Sequence, residues 1–296
     1  MPASTANLGP GFDCIGLALS LHHTLDVTER SGSGVEISLN GEGSEALPGD
    51  ETNPVFVAMS RAFEESGYRP GFLKVESNNS IPLARGLGSS AAATLAGLAA
   101  AAALAGDEVD RGQLLAQASA REGHADNVCA SLFGGFCVTA HAAGTADFVR
   151  LPAPLELEAA VVVPDFELET IPSRAALPVT VPFGDAVANQ ARVALLTAAV
   201  ASGEVELLPR AMRDLLHQPY RLGLVPGMQA VCDAAMEAGA LGAALSGSGP
   251  SLVALVRAGD ETPGKAMQEA WRKSSIESRL LQLPFDDAGL VVEIHE

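Results

Sequence analysis

The stretch Ile81 to Ala93, IPLARGLGSSAAA, combines Gly86 and Gly88 with Ser89 and Ser90 and then runs into alanines as far as Leu104. A loop of small residues opening onto a strong helix former gathers free backbone N–H groups and the positive helix end at one point, which suits a phosphate. The competing reading is a Gly-Ser helix start under a buried alanine helix. The loop is not a Walker A sequence, because none of the three lysines, Lys74, Lys265 and Lys273, lies in it. Nor is it a dinucleotide fingerprint, since position 91 is alanine. A triphosphate held by Arg85, Gly86, Leu87, Gly88, Ser89 and Ser90 would therefore need Mg²⁺, with Arg85 the adjacent cation. Magnesium takes hard oxygens. Ser90 offers a hydroxyl and Glu122 a carboxylate, although Glu122 also reads as an exposed helix-end residue.

Glu122 opens a dense polar cluster, Glu122-Gly-His-Ala-Asp-Asn127. Asp126 and Asn127 keep company with Glu122 beside the candidate magnesium site, or form a helix cap before Val128. His124 alone reads as a hydrogen-bonded structural histidine. Asn7 and Asp13 lie in a second polar loop, Ser4 to Asp13, whose Gly9-Pro10-Gly11 fits a turn. Asp13 and Asp126 can hold an ammonium, while Arg174 and Arg221 can hold a carboxylate. Together they suit an amino acid.

The elements that must position these groups follow from periodicity. Strand-like pieces are expected at Ile15–Leu21, Leu25–Thr28, Val35–Leu39 and Phe72–Glu76, the last leading into the phosphate loop. Asn53-Pro54 opens a helix with Val55, Met59 and Phe63 on one face and Gly67 as its stop. Asp110 caps another. Residues 144–156 are proline-bearing and non-periodic, placing a boundary near Pro154. Beyond it come a strand at Ala159–Val163, helices at Asp185–Ala201, Pro209–His217 and Met228–Ala238, and two strands flanking the turn SGSGPS. A helix near Gly264–Lys273 and a final strand at Leu290–Ile294 close the chain.

At 296 residues the length favours two domains. Net charge −18, from 18 basic and 36 acidic residues, argues against nucleic-acid or anionic-membrane partners. Four cysteines without metal-ligand spacing read as buried thiols in a reducing compartment. The apolar run at Ala91–Ala105 is alanine-rich and too weakly hydrophobic for a membrane span, and no signal sequence opens the chain, so a cytoplasmic protein is expected.

Three glycine-rich stretches in order, PASTANLGPGFDCIGLAL at Pro2–Leu19, IPLARGLGSSAAA at Ile81–Ala93 and ALSGSGPSLVAL at Ala244–Leu255, resemble the GHMP-superfamily small-molecule kinases. EGHADNV at Glu122–Val128 with LFGG at Leu132–Gly135, and HQPYR at His217–Arg221, resemble the homoserine kinase branch in particular. The resemblance implies an α+β, two-domain fold: a ribosomal-S5-domain-2-like N-terminal ATP-binding domain at 1–154 and a ferredoxin-like C-terminal domain at 155–296. It also implies a strand ahead of the first motif, for which the chain has no residues.

By the same resemblance, Arg85 to Ser90 wrap the ATP phosphates, Ser90 and Glu122 share Mg²⁺, and Asn53 contacts the adenine, unless it only caps its helix. Asn7, Asp13, Asp126 and Asn127 would surround the amino-alcohol end of L-homoserine. Thr170, Arg174 and Arg221 would face its other end, with Gly247 and Gly249 shaping the floor. Asn127 stands where related kinases carry an aspartate base, so direct phosphoryl transfer is expected, with Asp126 orienting the acceptor. The expected partners are ATP and L-homoserine, with a homodimer as an assembly to test. Another GHMP kinase, acting on mevalonate, a sugar or shikimate, and a non-catalytic ligand sensor are the alternatives.

Overall fold

The computed structural model describes residues 1–142 and 145–295. Strand β1 (Pro2–Asn7) pairs antiparallel with β2 (Gly11–Arg30), a 20-residue strand that replaces the two separate pieces expected from periodicity. Residues Pro2–Asn7 thus supply a strand where the sequence suggested only a loop. β2 serves two neighbourhoods. Its first half joins β1 and β5, and its second half, where burial alternates, pairs with β4.

β3 (Gly34–Gly41) runs parallel to β4 (Phe72–Asn79), across the connecting helix α1 (Pro54–Ser66). After β4 come α2 (Ser89–Leu104), α3 (Arg111–Glu122), α4 (Asp126–Phe133), β5 (Phe136–Ala142) and β6 (Thr145–Leu151). The first sheet has the order β3-β4-β2-β5-β6, with β1 added against β2. β6 falls inside the stretch read as non-periodic.

The second sheet, β10-β7-β9-β8, is antiparallel throughout. It is built from β7 (Leu157–Pro164), β8 (Gly242–Leu245), β9 (Leu252–Arg257) and β10 (Ser278–Pro284). Its helices are α5 (Thr170–Ala175), α6 (Phe183–Ser202), α7 (Leu208–Ala211), α8 (Gln218–Arg221), α9 (Met228–Glu237) and α10 (Thr262–Lys273). Of the helix expected at Pro209–His217 only the short α7 forms, and α8 begins beyond it at Gln218. Between them the Asp214 carboxylate accepts from the amides of Leu216, His217 and Gln218, a local turn that competes with continuing the helix.

The last strand is Ser278–Pro284 and not Leu290–Ile294. Its Leu281 and Leu283 register against Val161 and Ala159 of β7. The chain then crosses back to the first sheet through a Leu19–Phe285 bridge, and Leu290 is buried among α2, α3 and α4. Val291 and Ile294 are exposed, so the valine-isoleucine run that suggested a strand has no sheet to cover it.

One apolar cluster joins the two layers, running from Leu8, Ile15, Leu17 and Phe136 to Val161, Leu196, Val253 and Leu255. Among the described residues no helix is long and apolar enough to cross a membrane. The alanine helix α2 is instead a buried core helix. It is pressed against α1 at Gly97, where an added Cβ would overlap the carbonyl oxygen of Val55 and lie 2.8 Å from Ala58 Cβ. Gly97→Ala gains about 1 kcal/mol in helix propensity but overpacks a backbone contact, a cost of about 1–3 kcal/mol. The substitution is expected to lower the urea midpoint at unchanged slope; a raised midpoint would mean that α1 and α2 can part.

Candidate active site

The glycine-serine loop that opens α2 is held at its start by Asn79. Its side chain donates to the carbonyls of Ile81 and Glu42 and accepts from the Ile81 amide at 2.9 Å. Gly86 and Gly88 both adopt left-handed backbone, with φ of 74° and 71°. Space demands glycine as well as φ. A Cβ on Gly86 would strike the Ser246 carbonyl oxygen, and one on Gly88 would strike Ser4 Oγ. Leu87 packs its side chain into the core, and its carbonyl accepts from the Ser4 amide at 3.1 Å. No side chain caps α2, so the amides of its first turn stay open beside Ser89 and Ser90.

Arg85 is committed elsewhere than the sequence suggested. Its guanidinium donates to the carbonyls of Leu83, Pro164 and Asp165 and pairs with Glu167 at 3.2 Å. It borders the cleft while tying the phosphate loop to the end of β7.

Ser90 Oγ donates to Glu122 Oε1 at 2.9 Å, and Thr94 Oγ1 donates to the same oxygen at 3.2 Å. α2 and α3 therefore bring together the two oxygens suited to Mg²⁺. One carboxylate and a hydroxyl are too few ligands for a resident ion, and no cluster of three or more metal-binding side chains occurs among the described residues. The donor set fits a magnesium ion that also takes phosphate oxygens.

A second polar wall lies opposite in the same cleft, which is about 320 Å³ in volume. Asp126, buried at the start of α4, accepts from the Asn127 amide at 2.7 Å and contacts His124 Nδ1 at 2.8 Å. Asn127 Oδ1 accepts from Ser4 Oγ at 2.9 Å. Burial pulls the His124 pKa down, but the hydrogen bond and charge of Asp126 outweigh it, and the net shift is upward. Asp13 sits in left-handed backbone with φ 56°, its amide donating to Asn7 Oδ1, while Asn7 Nδ2 donates to the Gly247 carbonyl. Arg174 grips Asp13 through both terminal nitrogens, at 2.7 and 2.9 Å.

Arg221 is only 1% exposed, yet it lines the cleft. Its Nε donates to the Ser173 carbonyl and its Nη1 to His217 Nδ1 and the Gly247 carbonyl. Nη2 has no protein partner among the described residues. His217 Nε2 contacts the Gly9 carbonyl at 2.7 Å, which requires the proton on Nε2 and leaves Nδ1 as the acceptor for Arg221. Burial and the neighbouring guanidinium hold His217 neutral against the pull of Asp214. Burial, then the charge of Arg174, lowers the Arg221 pKa to about 10, which leaves it cationic at neutral pH.

Residues 53–135 match the GHMP kinases N terminal domain, and residues 196–277 match the GHMP kinases C terminal domain. The chain is 42% identical to the homoserine kinase of Carboxydothermus hydrogenoformans, over 98% of this chain and 95% of that one. It is 43% identical to that of Moorella thermoacetica, over 99% and 98%. The crystal structure of homoserine kinase from Cytophaga hutchinsonii superposes with a TM-score of 0.88 at 34% identity, covering 97% of this chain and 94% of that one. The chain belongs to the homoserine kinase family of GHMP kinases.

For a homoserine kinase family member, most of the residues singled out in the sequence converge. Asn7, Asp13, Arg85 to Ser90, Glu122, Asp126, Asn127, Thr170, Arg174, Arg221 and Gly247 all line one cleft. Two do not. Asn53 is buried as the cap of α1, its Oδ1 accepting from the Val55 amide and its Nδ2 donating to the Pro48 carbonyl. Gly249 stands behind the floor, where a Cβ would press on Leu245, and its amide would meet any side chain on Gly86.

Sequence reasoning passed over Ser4, Phe12 and Ser246. Ser246 Oγ is 2.6 Å from the Gly86 carbonyl and 2.8 Å from Thr5 Oγ1. His217, at the start of α8, carried a usable signal, since it stands four residues before Arg221 in HQPYR.

Because folding raises the His124 pKa, its pairing with Asp126 contributes stability below about pH 6.5 that is lost as pH rises through the folded value. Proton NMR titration of His124 is expected to give an upward shift that Asp126→Asn reverses, because the burial remains. An unchanged titration in the variant would show that Asp126 does not charge this histidine.

Proposed function

We propose that this kinase transfers the γ-phosphoryl group of ATP to the side-chain hydroxyl of L-homoserine, giving O-phospho-L-homoserine for threonine biosynthesis. The carrying observation is that one cleft faces an uncapped helix N-terminus on one wall with two guanidiniums and two carboxylates on the other. The first suits a triphosphate and the second an amino-acid zwitterion.

In this reading the amides of Gly86 to Ser90 hold the phosphates. Mg²⁺, held by Ser90 and Glu122, would neutralise phosphate charge that this lysine-poor loop cannot. On the acceptor side the bidentate Arg174–Asp13 pair exchanges partners. The homoserine ammonium takes Asp13 and Asp126, and its carboxylate takes Arg174 and Arg221. The acceptor hydroxyl oxygen forms the new bond to phosphorus as the bond from phosphorus to the β–γ bridging oxygen breaks, ADP departs, and the hydroxyl proton passes through an oxygen of the transferred phosphoryl group to water. A loose transition state asks mainly for position and charge. Asn127 is an amide, and Asp126 is fixed through Oδ1 by the Asn127 amide and His124, which supports orientation over general-base catalysis. Four free thiols accord with a reducing cytoplasm as the setting.

A coupled ADP-release assay with homoserine, mevalonate, galactose and shikimate tests the acceptor. Homoserine is expected to exceed the others by at least about a hundred-fold in kcat/KM, as loss of buried charge pairing would dictate. Binding of homoserine without turnover of any acceptor would refute the enzyme reading for this chain. Asp126→Asn is expected to raise the homoserine KM at near-normal kcat. A collapse of kcat with loss of its pH dependence would make Asp126 the base instead. Glu122→Gln is expected to raise the Mg²⁺ concentration needed for half-maximal rate.

A further inference from the structure

Phe12 is the aromatic ring of the acceptor wall, carried on β2 one residue before Asp13. The Arg174 guanidinium carbon lies 5.4 Å from its centroid and that of Arg221 lies 5.3 Å away. Both distances fall within the range where the negative face of a ring attracts a cation. The His217 ring packs on it as well, with centroids 5.2 Å apart, and His217 in turn accepts from Arg221. One half-buried ring therefore touches both cations of the site and the histidine that holds one of them.

Two guanidiniums side by side repel. In the structure Asp13 offsets one of the two charges by gripping Arg174. That compensation is removed when a substrate ammonium claims Asp13. An added carboxylate could replace it, but would compete with the substrate carboxylate for the same N–H groups. A neutral ring does not compete. It attracts a guanidinium through its face and leaves the N–H edge open to a carboxylate.

We propose that Phe12 is the positioning residue that sets acceptor specificity in this kinase, holding Arg174 and Arg221 as one paired site for the α-carboxylate. The inference rests on the reading that both arginines take that carboxylate. Phe12 makes no demand on the nucleotide, so its effect belongs to acceptor binding and not to phosphoryl transfer. It also belongs to the carboxylate and not to the amino end.

The test compares L-homoserine with 2-amino-1,4-butanediol, in which a CH₂OH replaces the carboxylate. KM is measured for each, or an inhibition constant against homoserine where turnover of the diol is too slow to follow. Phe12→Leu is expected to raise the homoserine KM about ten-fold, as loss of paired cation–π contacts implies. Its ATP KM and kcat should stay within about two-fold, and its diol constant should match that of the unmodified enzyme. Phe12→Trp keeps a ring and is expected to restore the homoserine KM to within a few-fold, which also covers the case in which the leucine variant folds poorly. Equal loss with homoserine and the diol, or an unchanged homoserine KM in Phe12→Leu, would overturn the proposal. Arg174→Gln serves as the control for the parent reading. If it weakens homoserine and the diol alike, the carboxylate assignment itself fails. If it discriminates between them while Phe12→Leu behaves as the unmodified enzyme, only the role of Phe12 falls.

Discussion

Backbone meets backbone where Gly86 lies against Ser246 and Gly249, and the rest of the site depends on that contact. The phosphate loop belongs to the first half of the chain and the SGSGP turn to the second. Neither can carry a side chain at the point of touch, because a Cβ on Gly86 would overlap the Ser246 carbonyl oxygen. Ser246 then closes the contact by bonding the Gly86 carbonyl, and the Gly247 amide donates to the Ala6 carbonyl of β1. The two walls of the cleft are thereby fixed at one spacing by main chain, the least deformable material available to the fold.

Charge is the second constraint. In the proposed reading, a chain of net charge −18 with three lysines binds a triphosphate and an amino acid. It does so by using few cations and fixing each one. The helix N-terminus supplies positive potential without any side chain. Arg85 holds the two halves together through carbonyls. Arg221 is buried and anchored through three groups, and Arg174 waits on Asp13. Three carboxylates of the cleft have partners already in place: Glu122 with Ser90 and Thr94, Asp126 with His124, Asp13 with Arg174.

The glycine loops and the polar cluster were legible in the sequence because their residue types are unusual and local. Glycine at positive φ, serine at a helix start and clustered Asp and Asn each announce themselves. The caps of α1 and α3 were legible for the same reason. What was not legible depends on contacts distant in sequence. Arg85 reads as a phosphate ligand until the carbonyls at 164 and 165 appear beside it. Phe12 reads as a turn neighbour until Arg174 and Arg221 arrive on its ring. Asn53 was open to two readings, and both of its amide groups are taken up by its own helix and the preceding loop. Periodicity failed at the chain end because the apolar residues beyond Leu290 have no sheet to join. It divided β2 because a strand shared between two neighbourhoods changes its burial pattern midway.

The proposed activity requires one exchange of partners, in which an amino-acid zwitterion replaces the Arg174–Asp13 pair in front of a nucleotide held at Gly86 to Ser90. A crystal structure with Mg²⁺, a non-hydrolysable ATP analogue and L-homoserine observes that exchange directly. The expected result has the γ-phosphate on the amides of Gly86 to Ser90 and the homoserine carboxylate between Arg174 and Arg221. Asp13 then faces the ammonium instead of Arg174. Homoserine bound with its carboxylate away from both arginines and the Arg174–Asp13 pair intact would contradict the account.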